Sequence, residues 1–118
     1  MAQGAAQAIE DGVVLGVVLS KLPDTSPEAI RKALKVYEEV RMDRAYRLVE
    51  LAAASGRALH LPDGAAKEER DRQFAALKEK KGGAVPDKWA DADVQRMIYG
   101  EDIAKTADEK FEELFAKA

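Results

Sequence analysis

The stretch that decides the fold is residues 27–55, which read PEAIRKALKVYEEVRMDRAYRLVELAAAS. Its apolar side chains recur at helical spacing and its charged side chains occupy the other face, which is typical of a long amphipathic helix. The predicted core residues of this helix are Ile30, Leu34, Tyr37, Val40, Ala45, Leu48 and Ala52. Ser26 and Pro27 suit the cap and the first position, and Gly56 is expected to end the helix.

Helical periodicity extends over the rest of the chain. Residues 3–22, within an N-terminal segment 1–22, are apolar nearly all round, which predicts a helix buried on several sides. No segment alternates apolar and polar residues as a half-buried strand would. Shorter helices are predicted in the looser segment 63–118, at 63–81, 91–99 and 102–117. The sequence therefore predicts an all-α fold of about five helices, forming a single helical unit over 1–118.

Composition excludes several classes of site. The 118 residues carry a net charge of −3, so a general polyanion binder is not expected. The absence of cysteine excludes disulfides, thiolate catalysis and cysteine zinc sites. His60 alone cannot form a multi-histidine metal site, and it is expected to be a partly buried structural residue. No metal site and no nucleic-acid partner are predicted.

Membrane insertion is not expected from the sequence either. The longest strongly apolar stretch without charge covers residues 12–20, whereas a spanning helix needs about 20 residues. A cytoplasmic location is the default expectation. Trp89 and Tyr99 bracket the short helix at 91–99 and are expected to be anchors that pack a tail against a body.

The charged residues with a possible chemical role are two acids and three arginines. Glu10 and Asp11 are neighbours, so they point about 100° apart on a helix and do not form a facing acid pair. One or both are expected on a polar edge of the first helix. Arg41, Arg44 and Arg47 lie three residues apart and either bind an anion or pair with local acids. No residue is a candidate general base.

Three segments resemble one known family. Residues 2–12, AQGAAQAIEDG, resemble the second half of the flavin-contacting motif GDAxHPxxPxxAQGxxQAIEDG of FAD-dependent aromatic hydroxylases, the salicylate-hydroxylase-like monooxygenases above all. Residues 37–45, YEEVRMDRA, are similar to the family's YExxRxxRA helix. Residues 98–102, IYGED, are similar to the terminal WIYGxD element of fungal members. The order of the matches implies that the chain corresponds to the C-terminal helical part of such an enzyme.

The resemblance implies a cofactor and a site. The cofactor is FAD, with NAD(P)H as co-substrate of the full enzyme, and the reaction is hydroxylation of an aromatic ring. Gln3, Gly4, Ala5 and Ala6 fall on the positions that contact the pyrimidine edge of the flavin ring. The free N–H groups and the dipole of a helix start suit negative charge on reduced flavin. A glycine at position 4 avoids a collision with the ring. The resemblance assigns no catalytic residue.

Other parts of the family pattern are absent from these 118 residues. They contain neither the GxGxxG dinucleotide-binding loop nor the GD half of the quoted motif. The chain alone is therefore expected neither to bind FAD tightly nor to catalyse the reaction. Its expected partner is the missing N-terminal flavin-binding part or a second copy, contacted through the apolar helix 3–22. The alternative is a stand-alone, non-catalytic helical interaction module or a truncated inactive product.

Overall fold

The computed structural model describes residues 3–118, so Ala2, the first residue of the N-terminal motif, lies outside the described residues. Over that range the chain folds into α-helices and contains no strand, which confirms the all-α prediction. The helices are α1 (Gly4–Ser20), α2 (Pro27–Leu59), α3 (Ala65–Lys78), α4 (Ala92–Tyr99) and α5 (Ile103–Lys117), with a short 3₁₀ turn at Lys88–Ala90. No helix in 3–118 is long and apolar enough to cross a membrane.

Side-chain caps set several helix starts. The Ser26 hydroxyl accepts a hydrogen bond from the Ala29 N–H (3.1 Å) at the start of α2. Asp91 accepts from the backbone of Asp93 at the start of α4, and Asp102 accepts from Lys105 N–H at the start of α5. These starts agree with the predictions, because a cap depends only on residues a few positions apart.

The predicted end of α2 at Gly56 is wrong, since the helix continues to Leu59. A glycine ends a helix when it takes a positive φ just beyond the last turn. The positive φ values at glycine belong to Gly64, Gly82 and Gly83, and not to Gly56. Gly56 therefore stays helical. Its carbonyl lies 2.8 Å from Nδ1 of His60, which is exposed just after the helix and not partly buried as expected.

The chain divides into two compact units, of which the first joins the residues up to 48 with 102–118. Its core combines side chains from α1, α2 and α5, namely Val14, Val18, Ala33, Val36, Val40, Ile103, Ala107 and Phe111. On α2, Val40 and Leu48 are buried as predicted, but Ile30 and Leu34 are 38% and 46% exposed. In the first turns of α2 the buried residues are Ala29 and Ala33, each one position before the predicted Ile30 and Leu34, and their small side chains suit close approach of a neighbouring helix. Ala52, another predicted core residue, is also exposed.

The prediction that α1 is buried on several sides is wrong for the described residues. Its buried residues are Val14 and Val18. Ile9 is 69% exposed, and Val13 and Leu19 are 40% and 42% exposed. One side of α1 therefore packs into the core of the first unit, while an apolar side remains uncovered.

The second unit comprises residues 49–101. Trp89 is buried as an anchor, and its carbonyl accepts a hydrogen bond from Gln95 Nε2 at 3.1 Å. Tyr99 is not a packing anchor as expected, because it is 71% exposed. Arg70 donates to the carbonyl of Ala58 (3.0 Å) and so satisfies a backbone acceptor in the last turn of α2. The single helical unit over 1–118 stays a prediction.

Candidate functional site

The site predicted from the N-terminal motif is the first turn of α1. Gln3 occupies the cap position and its side chain makes no capping hydrogen bond. The Gln7 N–H donates to the Gln3 carbonyl at 2.9 Å, which closes the first turn. The N–H groups of Gly4, Ala5 and Ala6 precede that bond, so the helix itself supplies no acceptor for them.

The first turn of α1 is open on the side where Gly4 lies. Gly4 and Ala5 are exposed, and Gln3 and Ala6 are half-buried. A Cβ added at Gly4 would meet no described atom within 4 Å. The structure thus gathers Gln3, Gly4, Ala5 and Ala6 in one uncapped and accessible helix start. Such a terminus can receive a hydrogen-bond acceptor or negative charge.

Two buried arginines of α2 bind the next turns of α1. Arg41 Nε donates to Asp11 Oδ1 (2.7 Å), Nη1 donates to Glu10 Oε2 (2.6 Å) and Nη2 donates to Gln7 Oε1 (2.7 Å). Arg44 donates two hydrogen bonds to the Glu10 carboxylate, from Nε to Oε2 and from Nη2 to Oε1, both at 2.8 Å. Arg41 is 3% exposed and Arg44 is 9% exposed. We call these five residues (Gln7, Glu10, Asp11, Arg41 and Arg44) the arginine cluster.

Two ionisable groups in or beside the arginine cluster have shifted pKa values. The hydrogen bond from Arg44 is the main cause that lowers the pKa of Glu10 below 4.5, and it outweighs the opposing effect of burial. Burial raises the pKa of Tyr37 above 10.0, and the nearby Asp11 carboxylate adds to the shift. Glu10 is therefore an ionised, hydrogen-bonded anion at neutral pH and a poor proton acceptor.

These contacts decide between the two interpretations of the arginines. Arg41 and Arg44 pair with local acids, whereas Arg47 is exposed. Glu10 and Asp11 form a polar edge of α1 that lies against α2, where Arg41 and Arg44 bind them. The sequence indicated these ion pairs only indirectly, by two adjacent acids in one helix and by arginines three residues apart in another. It did not show that the two would meet, since Arg41 and Glu10 are 31 residues apart.

The carboxylates of Glu10 and Asp11 form ion pairs with arginine. The region is therefore suited to holding and orienting α1 and not to proton transfer. Within 3–118 there is no group of three or more side chains suited to hold a metal ion. The assignment of Gln3, Gly4, Ala5 and Ala6 to a flavin stays a prediction.

Known proteins with similar sequences are monooxygenases by name, and two of the three names below specify FAD. Over 108 residues, 92% of the chain, the sequence is 32% identical to the FAD-dependent monooxygenase OpS4 of Beauveria bassiana strain ARSEF 2860. Over 45 residues, 38% of the chain and 10% of the relative, it is 56% identical to the FAD-dependent monooxygenase cfoG of Aspergillus candidus. Over 74 residues, 63% of the chain and 18% of the relative, it is 40% identical to the 3-amino-4-hydroxybenzoate 2-monooxygenase PtnB3 of Streptomyces platensis.

The similarity covers most of this chain but a small part of each relative. The match spans 25% of the length of OpS4. No family model matches the sequence, and no solved structure matches it either. Over nearly its whole length the chain is therefore similar to an FAD-dependent monooxygenase, of which it spans about a quarter.

Proposed function

We propose that this chain supplies the flavin-facing helix N-terminus of an FAD-dependent aromatic-ring monooxygenase of the salicylate-hydroxylase-like type. The chain would be the C-terminal helical part of that enzyme, and its proposed location is the cytoplasm. The observation that carries the proposal is the uncapped start of α1, where three consecutive N–H groups lie in an accessible first turn. The name of one relative, a 3-amino-4-hydroxybenzoate 2-monooxygenase, supports an aromatic substrate.

The residues present fit a flavin edge. Gln3, Gly4, Ala5 and Ala6 would hold the pyrimidine side of the ring through backbone N–H donors. The positive end of the α1 dipole, equivalent to about half an elementary charge, would favour electron density on the reduced ring. Gly4 would allow close approach, since the space beside it is open. Bound FAD, reduced by NAD(P)H, would supply the oxygen chemistry.

The chain contributes binding and charge stabilisation to this function, and the catalytic steps need further protein. One helix terminus offers a few donors, whereas a tightly held dinucleotide needs sites for its phosphates and ribose as well. We therefore expect the isolated chain to bind FAD weakly and to lack monooxygenase activity. A purified chain that stays yellow through gel filtration would contradict this expectation.

The exposed side of α1 supports a protein partner. Ile9, Val13 and Leu19 present apolar surface to solvent on a helix whose other side enters the core. We propose that a flavin-binding part of the complete enzyme covers this side, or that a second copy does so in its absence. The same exposed surface also suits the second candidate function, a non-catalytic helical interaction module.

The experiment that tests the flavin role compares Gly4→Val with Ala8→Val. Both are made in a chimera in which this chain replaces the matching segment of OpS4. Gly4→Val places a branched side chain where the ring would lie, so we expect FAD affinity or the rate of flavin reduction to fall at least about tenfold, which is about 1.4 kcal/mol. Ala8→Val introduces the same side chain one turn further along, in an exposed part of α1, and should leave both quantities within about threefold.

The outcome separates the two candidate functions. Flavin affinity and reduction rate that are equal in Gly4→Val and the parent chimera would remove the flavin role. A chimera that folds but never binds FAD would favour the interaction module. Melting temperatures of the apo-proteins serve as the control, because Gly4 has open space around it and its substitution should alter apo stability little.

A further inference from the structure

The guanidinium of Arg41 is shared among three residues of one helix. Its nitrogens Nε, Nη1 and Nη2 each donate to a different α1 side chain, on Asp11, Glu10 and Gln7, at 2.6–2.7 Å. Positions 7, 10 and 11 lie on one face of a helix, because residues three and four apart are neighbours there. A single planar group therefore fixes the rotation of α1 as well as its distance from α2.

Apolar packing does not fix this part of α1. The buried residues of α1 are Val14 and Val18, which both lie in its C-terminal half. The stretch Gly4–Val13 contains no buried residue, and Ile9 and Val13 face solvent. The arginine cluster is thus the main attachment of the N-terminal half of α1 within the described residues.

The contact with Gln7 reaches the first turn directly. Arg41 Nη2 lies 2.7 Å from Gln7 Oε1 and 3.4 Å from the Gln7 carbonyl. The Gln7 N–H in turn donates to the Gln3 carbonyl, the bond that closes the turn containing the free N–H groups of Gly4, Ala5 and Ala6. Arg41 therefore contacts the first turn of α1 through one intervening residue, Gln7.

The arrangement leaves one donor unused. Gln7 Nε2 is buried and has no hydrogen-bond partner among the described residues. A buried unpaired donor costs about 1–3 kcal/mol, and a buried arginine shared among polar groups is seldom more stable than apolar packing of the same size. Stability alone does not account for such a cluster, whereas fixed orientation of α1 does.

We propose that Arg41 is a positioning residue, which holds the first turns of α1 so that the N–H groups of Gly4–Ala6 lie at a fixed place and angle. The proposal rests on the proposed function for its purpose, since a fixed helix start matters where a flavin edge meets it. Arg41 itself touches neither the first-turn N–H groups nor a cofactor, and it acts through Gln7, Glu10 and Asp11.

The test is amide hydrogen exchange on the full chain, read residue by residue in the parent, Arg41→Gln, Arg41→Lys and Arg47→Gln. We expect Arg41→Gln to accelerate exchange in Gln7–Asp11 at least about tenfold more than in Ala107–Phe111 of α5, because local opening then exceeds global unfolding. Arg41→Lys keeps the charge but cannot reach three groups at once, so its effect should be smaller and in the same place. Arg47→Gln alters an exposed arginine of the same helix. It should leave unchanged the ratio of the exchange rate in Gln7–Asp11 to the exchange rate in Ala107–Phe111.

Acceleration by the same factor in both segments would overturn the proposal, because a merely structural arginine lowers global stability alone. Exchange rates in Arg41→Gln that equal those of the parent in both segments would overturn it as well. Should Arg41→Gln not fold, the ratio in Arg41→Lys decides in the same way. The assay contains no flavin, so its result is independent of the Gly4→Val comparison. Local loosening with a negative Gly4 result would retain the positioning role and remove the flavin role.

Discussion

The two halves of α1 are held in different ways. Val14 and Val18, in the C-terminal half, lie fully buried in the core with Phe111 of α5. The N-terminal half makes its main contacts through ion pairs and hydrogen bonds to Arg41 and Arg44. Apolar burial is strong but non-directional, whereas a bidentate or shared guanidinium is directional and contributes less net stability. The C-terminal half of α1 therefore stabilises the helix, and the N-terminal half orients it.

The largest expected effect comes from the apolar half. Phe111 is 2% exposed, and its ring stacks on Phe115 with centroids 5.0 Å apart. Phe111→Ala should lower the free energy of unfolding by about 3–5 kcal/mol, because it removes a buried ring and leaves a cavity. Urea denaturation followed by circular dichroism measures the change. The matched variant Phe115→Ala removes a half-buried ring and should cost less. Equal costs would contradict the placement of the core at Phe111.

A smaller effect, with a pH dependence, is expected from the polar half. Glu10→Gln removes the anion that receives hydrogen bonds from both buried arginines. The expected loss at pH 7 is about 1–3 kcal/mol of unfolding free energy. The pKa of Glu10 is lower in the folded chain than its ordinary value of 4.5. Its stabilising contribution is therefore complete above about pH 4.5 and is lost as the pH falls through the folded pKa.

The difference between parent and Glu10→Gln should accordingly shrink when urea denaturation is repeated below pH 4.5. Glu39, an exposed acid on α2, provides the control, and Glu39→Gln should change stability by less than about 0.5 kcal/mol. A parent-to-variant difference that stays constant or grows on acidification would show that Glu10 is not stabilised as an anion by Arg44 and Arg41.

The sequence predicted where helices begin better than which face of α2 is buried. The helix starts at Pro27, Ala92 and Ile103 lie within one residue of the predicted starts, because such starts depend on residues a few positions apart. The buried face of α2 was predicted less well, because the pair Ala29 and Ala33 and the pair Ile30 and Leu34 both have helical spacing. The choice between them depends on what packs against the helix.

The candidate site was predicted only in part. Gln3, Gly4, Ala5 and Ala6 came from resemblance to a flavin motif, and the structure adds that they form an uncapped helix start. The arginine cluster could not be predicted from local patterns, since its partners are separated by 30–34 residues in the chain. Neither the hydrophobic period nor a charge run encodes such a contact.

The smallest expected effect on stability concerns Ile9, on the uncovered side of the polar half. Ile9 is 69% exposed, so Ile9→Ser should change the free energy of unfolding by less than about 0.5 kcal/mol. Its effect on association should be larger. If the apolar side of α1 takes contact from a second surface, the parent chain should self-associate at micromolar concentration through that side. Ile9→Ser should then shift the chain toward monomer.

Light scattering over a range of concentrations measures the shift, and Met42→Ser is its matched control. Met42 is 52% exposed on α2 and belongs to a different helix, so its substitution should leave the association unchanged. A parent chain that stays a compact monomer throughout would show that no second copy covers α1. Equal weakening by Ile9→Ser and Met42→Ser would instead assign self-association to a general apolar surface. Weakening by Ile9→Ser alone would give the N-terminal half of α1 two separable tasks: Arg41 orients it from one side, and a partner covers it from the other.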